Sequence, residues 1–368
     1  MGKVMDVVVA GGGPAGLAAA IAARQRGLSV TVVDGANPPI TKACGEGLLP
    51  DALRALDELG IELCEADGMP LRGIHFEDER SSVRASFSGR SGIGIRREVL
   101  HLRMVERAHD CGVTFLWNTP VTGLCGSGLV AGGNRIPARW VIGADGSRSL
   151  MRRWSGLENP SSRESRFAYR RHYRLAPWTD FTEIHWGEKT QAYVTPVSKD
   201  EICVVLISGN SRLRFDAVLC RFPRLEEQLS AAAYASSERG AITGNFRLNR
   251  VYRGNVALIG DASGSVDAIT GEGLCLSFRQ AQALADALVK VDLGQYQEAH
   301  SRLPRRPRVM GSLLLLLDQQ TALRRRAMRT LESAPQLFER ALAYHVGMAR
   351  PLQIAAAGAS LGWRFLTV

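Results

Sequence analysis

An α/β architecture follows from three observations. The apolar run MDVVVA at residues 5–10 passes through the turn Gly11-Gly12-Gly13-Pro14-Ala15-Gly16 into an alanine-rich helical segment at 15–26. A second apolar run, SVTVV at 29–33, resumes after Gly27, a natural helix C-cap. Between 166 and 208 the pattern changes to period-two runs: FAYRRHYRL, FTEIHW, QAYVTPV and EICVVLIS. The first two features make a β-α-β unit with a parallel strand pair. The third predicts a second, mixed and largely antiparallel β-sheet. The expected molecule is a Rossmann-type nucleotide-binding domain, a second sheet domain for substrate, and a C-terminal helical region.

In chain order, DALRALDEL at 51–59 predicts a short helix, and residues 71–95 short antiparallel strands. A helix is expected over 97–110, a strand over Val113 to Leu116, and two short strands around the glycines of 121–136. RWVIGA at 139–144 reads as a buried strand ended by Asp145-Gly146, VALIG at 256–260 as another, and 274–290 as a long apolar helix. The nucleotide-binding domain is therefore expected in three pieces, 1–65, 95–164 and 250–300. The substrate domain takes 66–94 and 165–249, and the helical region 301–368.

Hydrophobic residues make up 45% of the chain and charged residues 22%, ordinary for a globular protein. Seven cysteines are scattered without a CxxC pair or a Cys/His cluster, so neither a metal site nor a disulfide framework is expected. That usage suits the reducing cytoplasm. The N-terminal apolar run goes straight into a glycine turn, unlike a signal peptide, and the longest leucine run is only Leu313 to Leu317. The net charge of +10 fits a solvated basic surface, an anionic substrate, the phosphate of NADPH or an acidic membrane surface. No nucleic-acid-binding module is present. Ten arginines between 301 and 350 face only Asp318, Glu332 and Glu339. The apolar stretch Val309 to Leu323, followed by Arg324, Arg325 and Arg326, predicts a helix packed with its arginines in water, covering the substrate cavity, or meeting a membrane peripherally.

Three segments carry chemistry. Gly11, Gly13 and Gly16 fit G-x-G-x-x-G directly between strand and helix. Gly11 permits the tight turn, Gly13 the approach of a pyrophosphate, and Gly16 close helix–sheet packing. Asp34, at the end of the second strand, can accept hydrogen bonds from ribose hydroxyls. The second segment is Val141-Ile142-Gly143-Ala144-Asp145-Gly146-Ser147-Arg148-Ser149, whose Asp-Gly is otherwise a plain turn. The third is Ala257-Leu258-Ile259-Gly260-Asp261-Ala262, followed by Thr270-Gly271-Glu272-Gly273 and a helix start.

Together these segments resemble the para-hydroxybenzoate-hydroxylase-like FAD superfamily, which includes group A flavin monooxygenases and geranylgeranyl reductases, over about residues 5–290. The resemblance implies FAD held by Gly11, Gly13, Pro14, Ala15, Gly16, Asp34, Gly45, Asp145, Gly260, Asp261, Gly271 and Gly273. It also places Arg97, with Leu100 and Met104 behind it, on the FAD phosphate. Lys42-Ala43-Cys44-Gly45-Glu46-Gly47-Leu48 is similar to the KxCGxGL stretch of geranylgeranyl-reductase-like members, and Asp267 to Gly273 to their P-L-T-G-E-G segment, with Ala268 in place of the proline. Cys44 is then a candidate catalytic thiol near the flavin, against the plain alternative of a small packing residue. His172, His185 and Tyr193 lie on predicted substrate-domain strands, and strand alternation alone does not say which of them face the cavity.

The expected function is an FAD-dependent oxidoreductase acting on a hydrophobic or aromatic small molecule, with NAD(P)H as donor. Two chemistries stay open: hydride delivery by a reductase, and hydroxylation by an oxygen-using monooxygenase. A flavin-containing binding or assembly protein is the rival from another class.

Overall fold

The computed structural model describes residues 5–158, 165–212 and 214–349. Residues 350–368, the end of the expected helical region, lie outside them. The chain runs β1 (Met5–Ala10), α1 (Pro14–Gln25), β2 (Val30–Val33) and α2 (Pro50–Glu58). It continues through β3 (Gly73–Glu77), β4 (Ser82–Ser86), α3 (Arg97–Asp110), β5 (Thr114–Leu116), β6 (Asn134–Gly143) and α4 (Leu150–Trp154). Next come β7 (Arg166–Arg174), β8 (Phe181–Trp186), β9 (Thr190–Ser198), β10 (Glu201–Ser208), β11 (Arg239–Thr243) and β12 (Val256–Leu258). The chain closes with α5 (Gly273–Val289), α6 (Leu293–Arg302), α7 (Arg305–Gln319), α8 (Thr321–Ser333) and α9 (Pro335–His345).

The first sheet places β12, β6, β1, β2 and β5 side by side, each pair parallel. All four residues of β2 and the last four of β1 are buried, so these strands read as nearly unbroken apolar runs, as strands covered on both faces do. Alanine dominates α1, and its side chains from Ala18 to Ala20 are fully buried. Small side chains let α1 lie close against α5, its main helical neighbour.

The second sheet runs β7, β10, β9, β8, β3, β4 and is antiparallel except where β8 meets β3. Both faces are covered, so the period-two pattern sorts two sets of buried residues. Val194, Val204 and Leu206 pack under Phe215 and Leu225, which belong to two short helices the sequence reading missed, Phe215–Leu219 and Pro223–Leu229. Ile184, Tyr193, Val205 and Ile207 point the other way, towards α7, α8 and α9.

Those last helices form a cover. Leu314, Met328, Phe338 and Leu342 pack over the second sheet and Ile269. One expectation is corrected here. Arg324 does not stand in water: it is 5% exposed, donates to the Leu317 carbonyl, and has its guanidinium 5.9 Å from the Trp186 ring centroid. A planar, weakly hydrated guanidinium tolerates such a stacked site. No helix among the described residues is long and apolar enough to cross a membrane.

Candidate active site

A cavity of about 1480 Å³ opens between the two sheets and the covering helices. A drug-sized ligand site runs to roughly 300–1,000 Å³, so this one has room for a large cofactor and a substrate together. Its nucleotide end is built from the glycine turn. Gly11 has φ +113°, and a Cβ there would lie 2.5 Å from the Ala144 carbonyl oxygen. A Cβ on Gly16 would meet the Gly11 oxygen at 1.9 Å, so Gly16 serves the helix–strand contact from behind and does not line the cavity. A Cβ on Gly13 would meet nothing within 4 Å, and Gly13 does line the cavity with Pro14 and Ala15. Below the turn, buried His101 donates from Nε2 to the Gly12 carbonyl at 2.8 Å, and burial holds this imidazole below the usual histidine range.

Asp34 borders the same space, and its carboxylate is also used internally. Oδ2 accepts from the Gly12 N–H at 2.6 Å and Oδ1 from the Ala36 N–H at 2.8 Å. Asp145 goes further in that direction. Its two oxygens accept from Ser149 Oγ and from the N–H groups of Leu150 and Met151, which caps α4. Asp145 lines the cavity, yet its carboxylate is committed to that cap. Arg152 ties this segment to the third motif, donating to the carbonyls of Ser147 and Ala262.

Gly260 has φ +61°, and a Cβ there would approach Ala15 Cβ at 2.7 Å. Like Gly16 it enables packing and does not line the cavity. Asp261 lines it and pairs with Lys42 at 2.7 Å. Gly271, with φ +67°, and Gly273 open onto it at the start of α5.

These features fit FAD. The N-termini of α1 and α5 both begin at the cavity with no side-chain cap, so their first N–H groups are free to meet an anionic or carbonyl acceptor. Arg97 lines the cavity as well, and its buried Nε has no hydrogen-bond partner. An unpaired buried guanidinium edge is costly unless a ligand completes it, and a pyrophosphate does so.

The loop after β2 is held by a network that sequence reasoning missed. Glu46 adopts φ +59°, is 3% exposed, and accepts from the Arg97 N–H at 3.0 Å. Its other oxygen lies 2.6 Å from His172 Nε2. Arg170 donates to His172 Nδ1 at 2.7 Å, so the imidazole carries its proton on Nε2 and donates it to Glu46. His172 and Tyr193 thus lie on the cavity face of their sheet, whereas His185 is on the opposite face with Glu183 and Phe222. Cys44 is half-buried, lines the cavity, and accepts from the Glu46 N–H at 3.5 Å. The signal for Glu46 was present in the sequence. Gly45-Glu46-Gly47 and Gly271-Glu272-Gly273 are two copies of one triplet, and each carries a buried glutamate.

Residues 4–301 match the FAD binding domain family model. The chain belongs to that family. A menaquinone reductase of Mycobacterium tuberculosis (strain CDC 1551 / Oshkosh) is 29% identical, over 79% of this chain and 78% of its own. An FAD-dependent urate hydroxylase of Klebsiella pneumoniae is 26% identical, over 78% and 85%. Among solved structures, a geranylgeranyl bacteriochlorophyll reductase-like protein from Thermoplasma acidophilum superposes with a TM-score of 0.78 at 18% identity, over 99% of this chain and 98% of that one. The flavoprotein is an FAD-dependent oxidoreductase whose relatives are reductases and monooxygenases acting on small molecules.

Proposed function

We propose that this flavoprotein is a reductase of the geranylgeranyl-reductase type, acting on a hydrophobic small molecule. The observation that carries the reading is the wall of the cavity away from the glycine turn. Ile74, Phe76 and Ile184 supply it from the sheet, and Leu314, Leu317 and Phe338 from the covering helices. Such a wall accepts an alkyl or isoprenoid chain and rejects a hydrated polar one. Tyr193 adds one polar end: its buried hydroxyl donates to Gln191 Oε1, which in turn meets Arg166.

Bound FAD supplies the hydride chemistry. The chain's own residues hold it, exclude water and deliver a proton. Cys44 is the proposed proton donor, placed in the cavity by the Glu46–His172 network. Exposed Arg148 at the rim offers a cation to the phosphates of NAD(P)H, the proposed electron donor. The substrate enters from an anionic membrane surface. Val309, Leu313 and Leu316 on α7 are 61%, 46% and 44% exposed, and the two leucines also line the cavity. Exposed Arg302 and Arg305, with half-buried Arg325, flank that apolar strip, the pairing that an interfacial helix uses.

The test is an anaerobic half-reaction. Reduced holoprotein mixed with a prenylated quinone or a polyprenyl lipid should have its flavin reoxidised without oxygen, and Cys44→Ala should slow that step by roughly 10²–10⁴-fold. Reoxidation that needs oxygen and yields a hydroxylated product would establish the monooxygenase reading, which the Klebsiella relative favours. Pelleting with anionic but not zwitterionic vesicles at low salt, lost in Leu313→Asp, checks the membrane route.

A further inference from the structure

Four buried polar atoms without a hydrogen-bond partner lie in one cluster behind the start of α5. They are Asp51 Oδ1, Glu272 Oε1, Arg306 Nε and His345 Nδ1. Buried polar groups are nearly always paired, so such a concentration marks a place where something moves or binds. Glu272 Oε1 lies 3.7 Å from His345 Nδ1 and 3.7 Å from Arg306 Nη2, and Arg306 Nη2 lies 3.0 Å from Asp51 Oδ2. The cluster separates two spaces. On the inner side His345 lines the main cavity. On the outer side Glu272 lines a second pocket of about 560 Å³, together with Arg279, Arg302, Arg305, Arg306 and Tyr344.

The protonation states follow from the partners. His345 Nε2 lies 2.8 Å from the Thr270 carbonyl, which only accepts, so Nε2 carries the proton and Nδ1 is the free base. That base faces Glu272. Glu272 is faced by Asp51 from α2, by Cys275 and Arg279 on its own helix, by Arg306 from α7 and by His345 from α9. Burial and the neighbouring Asp51 raise its carboxyl well above the usual range, against the pull of Arg306 and Arg279. Burial also holds His345 below the usual histidine range. Near neutral pH a carboxylic acid therefore looks at an imidazole nitrogen able to take its proton.

We propose that Glu272 and His345 form a proton relay from solvent in the arginine-lined pocket to the cavity at the start of α5. The relay rests on FAD occupying the main cavity, and not on the identity of the substrate. Glu272 gives its proton to His345 Nδ1, the imidazolium turns so that the same N–H faces the cavity and releases that proton there, the ring turns back to restore Nε2–H on the Thr270 carbonyl, and water in the outer pocket returns a proton to Glu272. One proton crosses and no electrons move. A side-chain shift of about 0.5–1 Å closes the gap to hydrogen-bond length. A histidine that meets the acid through Nδ1 and also lines the cavity can carry a proton from one to the other.

Two measurements test it without any organic substrate. Infrared spectra of the wild-type protein at pH 7 should show the carbonyl stretch of a buried protonated acid, absent in Glu272→Gln and lost from the wild type on raising the pH. In stopped flow, proton uptake accompanying reduction of bound FAD by dithionite should slow by about tenfold or more in Glu272→Gln and His345→Gln, within what a placed proton donor contributes. Absence of the acid band, or uptake at the wild-type rate in both relay variants, would overturn the relay. Because dithionite replaces donor and substrate, neither result depends on the proposed reductase activity.

Discussion

Lys42 Nζ lies 2.7 Å from Asp261 Oδ2, joining two motifs 219 residues apart in the chain. Both side chains are more than a third exposed, so the pair contributes little to stability, on the order of 0–1 kcal/mol. Its consequence is positional. The Cys44–Gly47 loop and the segment from Gly260 to Gly273 face each other across one cavity, and Arg97 reaches the same space from α3.

Two glycines of the turn should fail in opposite ways. Gly13 has ordinary extended dihedrals (φ −71°, ψ 175°) and open space at its Cβ position, so Gly13→Ala should fold normally yet bind FAD poorly. Gly16→Ala must push the Gly11 carbonyl aside and should lose on the order of 1–3 kcal/mol of stability or more. Thermal melts of the apoproteins with the FAD content of purified protein separate the two effects. Full FAD occupancy in Gly13→Ala would show that the cofactor does not approach this backbone.

Asp34→Ala removes the acceptor of the Gly12 and Ala36 N–H groups. A hydrogen bond to a charged group contributes about 1.5–3 kcal/mol, so FAD affinity should fall about tenfold or more. Asp34→Asn keeps one oxygen on the turn and should recover part of it. Fluorescence titration with FAD at matched fold stability gives the comparison, and unchanged affinity in the alanine variant would remove Asp34 from the site.

His172→Ala leaves the Glu46 carboxylate buried without its partner. Leaving a buried acceptor without its donor costs about 1–3 kcal/mol, more when the acceptor is charged, and the positive φ of Glu46 adds strain that the network otherwise holds. Urea unfolding should show that loss. His172→Gln, which can still donate to Glu46, should lose less. Equal stabilities of the two variants would mean that volume, and not the hydrogen bond, matters at this position.

The pH dependence of stability carries the signature of Glu272. Its folded-state value is raised from 4.5 to about 8 by burial first and Asp51 second, so the native state holds a proton that the unfolded chain has released. That contribution is fully present below the unfolded value and is lost as pH rises through the folded one. His345 is shifted down from 6.5 and acts in the opposite sense, but only below that pH. Between pH 6.5 and 8 Glu272 therefore dominates this cluster, with a slope of at most about 1.4 kcal/mol per pH unit. Melting temperatures of the wild type should fall across that window relative to those of Glu272→Gln. Parallel curves would place an ionised carboxylate at this position.

The sequence by itself determined the parts whose causes are local. The glycine turn is dictated by backbone sterics within a few residues, and the helix expected over 97–110 is found as Arg97–Asp110. The parallel strands are legible because burial on both faces demands unbroken apolar runs. The antiparallel sheet is legible as alternation, since successive side chains must point to opposite faces. Tertiary structure alone decided which face each residue took and which distant groups met. It placed Tyr193 in the cavity and His185 behind it, committed Asp145 to capping α4, and buried Arg324 over Trp186 where an apolar run ending in arginines had suggested a solvated edge. It also converted the two glutamates of the Gly-Glu-Gly triplets into a loop anchor at Glu46 and a raised acid at Glu272. Identical local sequence cannot distinguish those roles, because a carboxylate's state depends on the burial and charge brought to it by other segments: His172 and Arg170 for Glu46, and Asp51, Arg306 and His345 for Glu272.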